Sequence, residues 1–161
     1  MSDSAEIPPL VAVLGRVPSG IFVLSVRHEG QETGMLASWV MQAGFDPPMI
    51  TVAVRQDRYV ADWLTAGAPF ALNVVAEKQK PILSHFGRGY AVGEPAFQGL
   101  DVQDDGGVPI LLTGTVGHVI CQPRGHLDSG EHRIFLAEVT GGELAQDLPP
   151  MLHVRKSGAH Y

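Results

Sequence analysis

The sequence predicts a mainly β protein, a closed antiparallel barrel with short helices inserted between its strands. Three observations carry this. Twelve prolines and nineteen glycines are spread along 161 residues, which divides the chain into short elements joined by tight turns. The apolar stretches are brief, and most follow one another directly instead of alternating with helices. The GxGxxG fingerprint of a dinucleotide-binding unit is missing: the nearest string, Gly87-Arg88-Gly89, comes after a helix and not between a strand and a helix.

The elements follow in order. Pro8–Gly15 opens on proline and closes on glycine, the arrangement of a short helix. Gly20–Val26 is a continuous apolar run with β-branched and aromatic residues, the pattern of a buried strand. His28-Glu29-Gly30-Gln31 reads as a hairpin turn, Thr33–Gln42 as the returning strand, and Pro48–Arg55 as a third. Asp57 stands where it can cap a helix carrying Tyr59, Val60, Trp63 and Leu64 on one apolar stripe, ended by Gly67. Pro69–Val75 returns as a strand, and Glu77–Phe86 is helical with Pro81 near its first turn. Gly87–Pro109 is a glycine-rich loop, long enough to suggest a function. Ile110–Cys121, Arg133–Glu143 and Met151–Arg155 supply the last strands.

Composition narrows the class. A hydrophobic fraction of 45% with 17% charged residues suits one folded domain spanning residues 1–161. Eleven Lys and Arg against seventeen Asp and Glu give a net charge of −6, which argues against nucleic acid as a partner. A single phosphate is still within reach of such a chain, since one site needs only a few local donors. Cys121 is the sole cysteine, so no intrachain disulfide forms and a reducing compartment is inferred. The opening MSDSAEIPP has neither a basic nor an apolar leader region, and no apolar run is long enough to span a bilayer. The expectation is a cytoplasmic protein with no membrane partner.

Four segments are candidates for chemistry. Gly34-Met35-Leu36-Ala37-Ser38-Trp39-Val40 joins small residues to a hydroxyl and an aromatic, which lets a planar heterocycle approach a strand closely; the same pattern suits a strand packed under a helix. Arg55-Gln56-Asp57-Arg58-Tyr59 lies between a strand and a helix, where free N–H groups and two guanidinium groups suit a phosphate. Asp57 competes there for the same donors, and ordinary surface arginines would look alike. His118, Cys121, His126 and His132 lie close in sequence, yet residues three apart on a strand face opposite sides, and no CxxC or HxxxH spacing occurs, so no metal site is expected. His132 follows the Ser129-Gly130-Glu131 turn, where it can face a ligand or only water. No GxSxG elbow supports a hydrolase.

Several co-linear strings carry a resemblance. Leu14-Gly15-Arg16, Pro18-Ser19-Gly20, Met35-Leu36-Ala37-Ser38-Trp39-Val40, Pro47-Pro48, Thr51–Arg55, Phe70-Ala71-Leu72-Asn73-Val74, His85-Phe86, Gly130-Glu131-His132, His153-Val154-Arg155-Lys156-Ser157-Gly158 and His160-Tyr161 together resemble the flavin reductase-like, FMN-binding split-barrel family. They look most like the flavin reductase module at the C-terminus of cyanobacterial flavodiiron proteins. The resemblance implies a six-stranded antiparallel Greek-key split barrel and a homodimer with FMN between subunits. Leu36, Ala37, Ser38 and Trp39 would line the isoalloxazine. Arg55 and Arg58, with Ser38 helping, would hold the phosphate. Asn73 and Phe86 would flank the site. His132, the candidate catalytic residue, would sit by the ring or the partner nucleotide, and Lys156, Ser157 and Tyr161 would cover the cofactor or the dimer partner. One departure stands out: Gly130-Glu131-His132 replaces the family's Gly-Asp-His, and the extra methylene shifts the carboxylate.

The implied activity is that of an NAD(P)H:flavin oxidoreductase, moving a hydride from a nicotinamide to FMN and serving a redox-protein or monooxygenase acceptor. The nicotinamide nucleotide is then a transient co-substrate. The alternative is a non-enzymatic, FMN-bound electron carrier reduced by another protein. A flavin oxidase acting on a pyridoxal-type vitamer is a more distant reading.

Overall fold

The computed structural model describes residues 6–160. Helix α1 spans Pro9–Gly15, and the two-residue strand β1 (Ser19–Gly20) leads into β2 (Phe22–His28) and β3 (Gln31–Ala37). Strands β4 (Val40–Phe45) and β5 (Pro48–Arg55) precede α2 (Tyr59–Thr65), β6 (Phe70–Val75) and α3 (Lys80–Gly87). A small hairpin, β7 (Val102–Asp105) and β8 (Val108–Leu111), is followed by β9 (Thr115–Ser129), β10 (His132–Leu144) and β11 (Leu152–His153). Seven strands form one antiparallel sheet in the order β3-β2-β6-β9-β10-β5-β4, with β1-β11 and β7-β8 as separate pairs.

The antiparallel β class is as expected, and the extra strand has an identifiable origin. Thr33–Gln42 is not one strand. It breaks at Ser38-Trp39, so β3 pairs with β2 while β4 pairs with β5 at the far edge of the sheet. Trp39 O accepts from Ala53 N at 3.0 Å across the break. The corner carries the chain from one sheet edge to the other and bends the sheet round on itself.

β2 is buried on both faces, which explains its unbroken apolar run. Leu24 and Val26 join Val52, Val54, Phe70 and Phe135 in the main core, which α2 seals with Val60, Ala61 and Leu64. Ile21 and Val23 face a second cluster with Val75, Ile82, Phe86 and Phe97. Cys121 lies in the main core with no exposed surface, and burial pushes its thiol pKa up to about 12. It stays protonated at neutral pH and is no nucleophile.

Three expected boundaries move. The helix expected over Glu77–Phe86 starts at Lys80, because Lys78 takes a left-handed φ of 66° and Pro81 suits a first turn. Ile110–Cys121 is interrupted between β8 and β9, where Gly114 has φ of 77° and a Cβ would lie 2.9 Å from Ile82 Cγ1 and 3.0 Å from Gln79 Oε1. The ladder expected across Met151–Arg155 is confined to Leu152–His153. The long segment Gly87–Pro109 is partly structural: Ala96, Phe97 and Val108 are buried, and Arg27 bonds Asp104, Gly107 O (3.1 Å) and Glu32 (2.8 Å).

Candidate functional site

A cavity of about 520 Å³ opens where β3, the end of β5, α3 and the C-terminal segment meet. Met35, Leu36, Ala37 and Ser38 form one wall, Ala53 and Arg55 another, and Leu83, Phe86 and Gly87 a third. Met151, His153, Val154, Arg155 and Lys156 complete it from the tail. The floor is apolar. The charged groups are all of one sign: four of the eleven Lys and Arg line the cavity, and no described Asp or Glu does. In a chain of net charge −6, this is a local positive field beside an apolar slot.

Local structure places each cation. His132 pairs with Arg55 across the β10–β5 ladder, so both emerge at the same end of the barrel. Arg55 donates through Nε (3.1 Å) and Nη2 (2.9 Å) to the two oxygens of Asp57. The guanidinium holds the Asp57 carboxyl below the usual carboxylate range, chiefly by this hydrogen bond. The pairing therefore persists at neutral pH and is lost only as pH falls through that lowered pKa. Asp57 does not cap α2, as its position in the sequence suggests; Arg58 occupies the N-cap with no side-chain cap bond. With seven residues, α2 offers only two turns of dipole, so side-chain cations carry the positive field.

Arg58 is set by its neighbour. The Tyr59 hydroxyl donates to Tyr90 O at 2.9 Å and lies 2.8 Å from Thr33 Oγ1, which pins the start of α2. The Arg58 guanidinium then runs beside Gly89, where a Cβ would lie 2.9 Å from Nη1. Gly89, at φ of 73°, gives both the turn and the room.

Among the residues singled out in the sequence, Leu36, Ala37, Ser38, Arg55, Arg58, Phe86, His132 and Lys156 share this cavity. Trp39 is not on its wall. Trp39 falls at the corner between β3 and β4 and packs instead against His132, with ring centroids 4.6 Å apart and the planes tilted by 47°. The Arg155 guanidinium carbon stands 5.3 Å from the Trp39 ring centroid. Asn73 does not flank the cavity either. It has no exposed surface: Nδ2 donates to Val23 O and Ser25 Oγ, and Oδ1 accepts from Leu111 N, each at 2.9 Å. Its amide is consumed in joining the β7–β8 hairpin to the barrel. Tyr161 lies outside the described residues. His132 is 8% exposed, and its Nδ1 is 3.5 Å from Glu131 Oε1. His118 and Cys121 diverge as strand geometry requires, His118 Nε2 reaching Asp105 Oδ2 at 3.3 Å.

Residues 14–159 match the family model of the flavin reductase like domain. The chain belongs to the flavin reductase-like family. This flavin reductase-like chain is 31% identical over 154 residues to Diflavin flavoprotein A 1 of Synechocystis sp., a match that covers 94% of the chain but 27% of that relative. It therefore spans about a quarter of the length of such relatives. Among solved structures, an NADH:FAD oxidoreductase of Streptomyces globisporus is similar with a TM-score of 0.82 and 28% identity, over 89% of this chain and 85% of the other. The styrene monooxygenase flavin reductase of Pseudomonas putida shares the fold, with a TM-score of 0.74 and 24% identity, over 89% and 90% of the two chains.

The residues present suit a flavin. A cavity of this size, apolar along β3 and α3 and cationic at Arg58, Arg155 and Lys156, is complementary to a ring system that carries a phosphate. Sequence reasoning missed Met35 as a wall residue in its own right, and with it Ala53, Leu83 and Arg155. Ala53 and Leu83 have ordinary core patterns, whereas Arg155 adjoins Lys156 and its charge was a legible signal.

Proposed function

We propose that this protein is an NAD(P)H:flavin oxidoreductase that binds FMN in the cavity between β3, β5, α3 and the tail. The observation that carries the reading is the joining of an apolar slot to four cations, one of them paired with Asp57, in an acidic chain. In this reading Leu36, Ala37 and Ser38 supply the close-approach face for the ring. Phe86 and Leu83 exclude water from it, and Arg58 with Lys156 binds the phosphate through charge-assisted hydrogen bonds. His132 holds its place through Trp39 behind it and Glu131 beside it. Bound there, the flavin supplies the acceptor for a hydride from the nicotinamide, which must be brought into stacking distance. The nicotinamide nucleotide docks from the open side, since an all-antiparallel sheet has no βαβ crevice to hold it.

A homodimer belongs to the same reading. Edge strand β4 leaves Met41 69% and Phe45 90% exposed, apolar surface that a second copy would cover. Light scattering should return twice the chain mass of 17.2 kDa, and a monomer that is saturated with FMN would refute the pairing. The activity is tested by mixing the FMN-loaded protein anaerobically with NADH or NADPH. Rapid bleaching of the visible flavin band is the expected outcome. A flavin that stays oxidised until a redox protein is added would instead identify an electron carrier.

No helix among the described residues is long and apolar enough to cross a membrane.

A further inference from the structure

Helix α1 is an anomaly in the packing. Gly15 is its one buried residue, while Leu10 is 72% and Val13 66% exposed, so the helix adds almost nothing to either core cluster. Its contacts go to the C-terminal segment. Arg155 N donates to Gly15 O at 2.7 Å, and Gly158 N donates to Val11 O at 2.7 Å. Arg16 Nη1 donates to Arg155 O at 2.7 Å and reaches Lys156 O at 3.4 Å. The seam is as close as backbone allows: a Cβ on Gly15 would lie 2.6 Å from Arg155 O, and one on Gly158 would lie 2.3 Å from Leu14 Cβ. Upstream, the tail is held by the β1–β11 pairs Ser19↔His153 and Gly20↔Leu152. The stretch carrying Arg155 and Lys156 is thus pinned at both ends, and both residues line the cavity.

We infer that α1 is a positioning element for the phosphate end of the ligand, and that Arg16 is its working residue. By tying the carbonyls of residues 155 and 156, Arg16 sets the backbone from which those two cations reach the cavity. Without it, the backbone anchors at residues 153, 155 and 158 remain, but the carbonyls of residues 155 and 156 lose their side-chain tie, and the freedom the two cations gain must be removed on binding at a cost in free energy. Arg16 itself is exposed and outside the cavity wall, so it acts through the tail. This inference rests on the flavin reading above and assigns a new residue to it.

The test is equilibrium titration of the full chain with FMN and with riboflavin, which shares the ring and lacks the phosphate. Arg16→Ala should weaken FMN on the order of three- to tenfold, the range of one surface charge-assisted contact, and leave riboflavin unchanged. Arg16→Lys, which keeps the charge and one donor nitrogen, should recover part of the loss. In an Arg155→Ala/Lys156→Ala background, Arg16→Ala should have no further effect on FMN, because a residue that acts through two others is silent once they are gone. An FMN-to-riboflavin affinity ratio unchanged by Arg16→Ala overturns the inference, and so does an effect that survives in full in the double-variant background. A wild-type chain that binds neither flavin would instead overturn the functional reading itself, and this inference with it.

Discussion

Asn73→Ala should lower the unfolding free energy by about 3–5 kcal/mol and leave the FMN affinity of the folded protein unchanged. The side chain is fully buried and spends both N–H donors and its carbonyl on Val23 O, Ser25 Oγ and Leu111 N. Truncation leaves the Leu111 N–H and the Val23 C=O each short of a partner in a place water does not reach, at about 1–3 kcal/mol per group. The cavity left behind adds to this. The network extends further, because Ser25 Oγ, which accepts from Asn73, donates to Pro109 O at 2.5 Å. Strands β2 and β6 and the β7–β8 hairpin are therefore loosened together. At roughly 2–4 °C per kcal/mol for a domain of this size, thermal denaturation should shift by about 10 °C. A normal melting temperature with weakened FMN binding would return Asn73 to the site and contradict this placement.

Arg58→Ala should raise the FMN dissociation constant roughly ten- to a hundredfold, the value of a charge-assisted hydrogen bond of about 1.5–3 kcal/mol. Riboflavin binding should be unaffected. Arg58 is chosen over Arg55 for a structural reason. Arg55 already has two of its donor groups on Asp57, and the lowered pKa of that carboxyl keeps the pair intact at neutral pH. Arg58 is placed by Tyr59 and given room by Gly89. Arg55→Ala should accordingly have the smaller effect. Equal losses for FMN and riboflavin would mean that Arg58 shapes the slot and does not meet the phosphate, and unchanged binding of both would put the phosphate elsewhere.

The two predictions draw opposite consequences from residues that the resemblance assigned to one site. Asn73 in Phe70-Ala71-Leu72-Asn73-Val74 is a polar residue in an apolar strand, a pattern shared by binding residues and by satisfied core residues. Only the neighbours decide, and these come from β2 and β8, 50 and 38 positions away respectively. Leu36, Ala37 and Ser38 were legible because small side chains next to a hydroxyl on one strand suit a flat ligand. Trp39 belonged to the same string, but it falls at the corner between two strands and turns to the other side. The single-strand reading of Thr33–Gln42 failed at that corner too: nothing in its alternation shows that β3 and β4 pair at opposite edges.

What the sequence by itself determined is the class of the protein. Short apolar runs, frequent glycine and proline, and a string of co-linear motifs sufficed for a mainly β chain of the flavin reductase-like family, with β2 buried on both faces. These signals are local, since strand period, turn residues and motif spacing are written within a few positions of one another. The tertiary structure alone decided which charges serve the cavity. Asn73 was drawn into the core by partners 38 to 50 positions away, and Arg16 was brought to the carbonyls of Arg155 and Lys156, as far as 140 positions along the chain. A hydrogen bond depends on distance in space, and folding sets that distance for residues whose separation in sequence carries no trace of it.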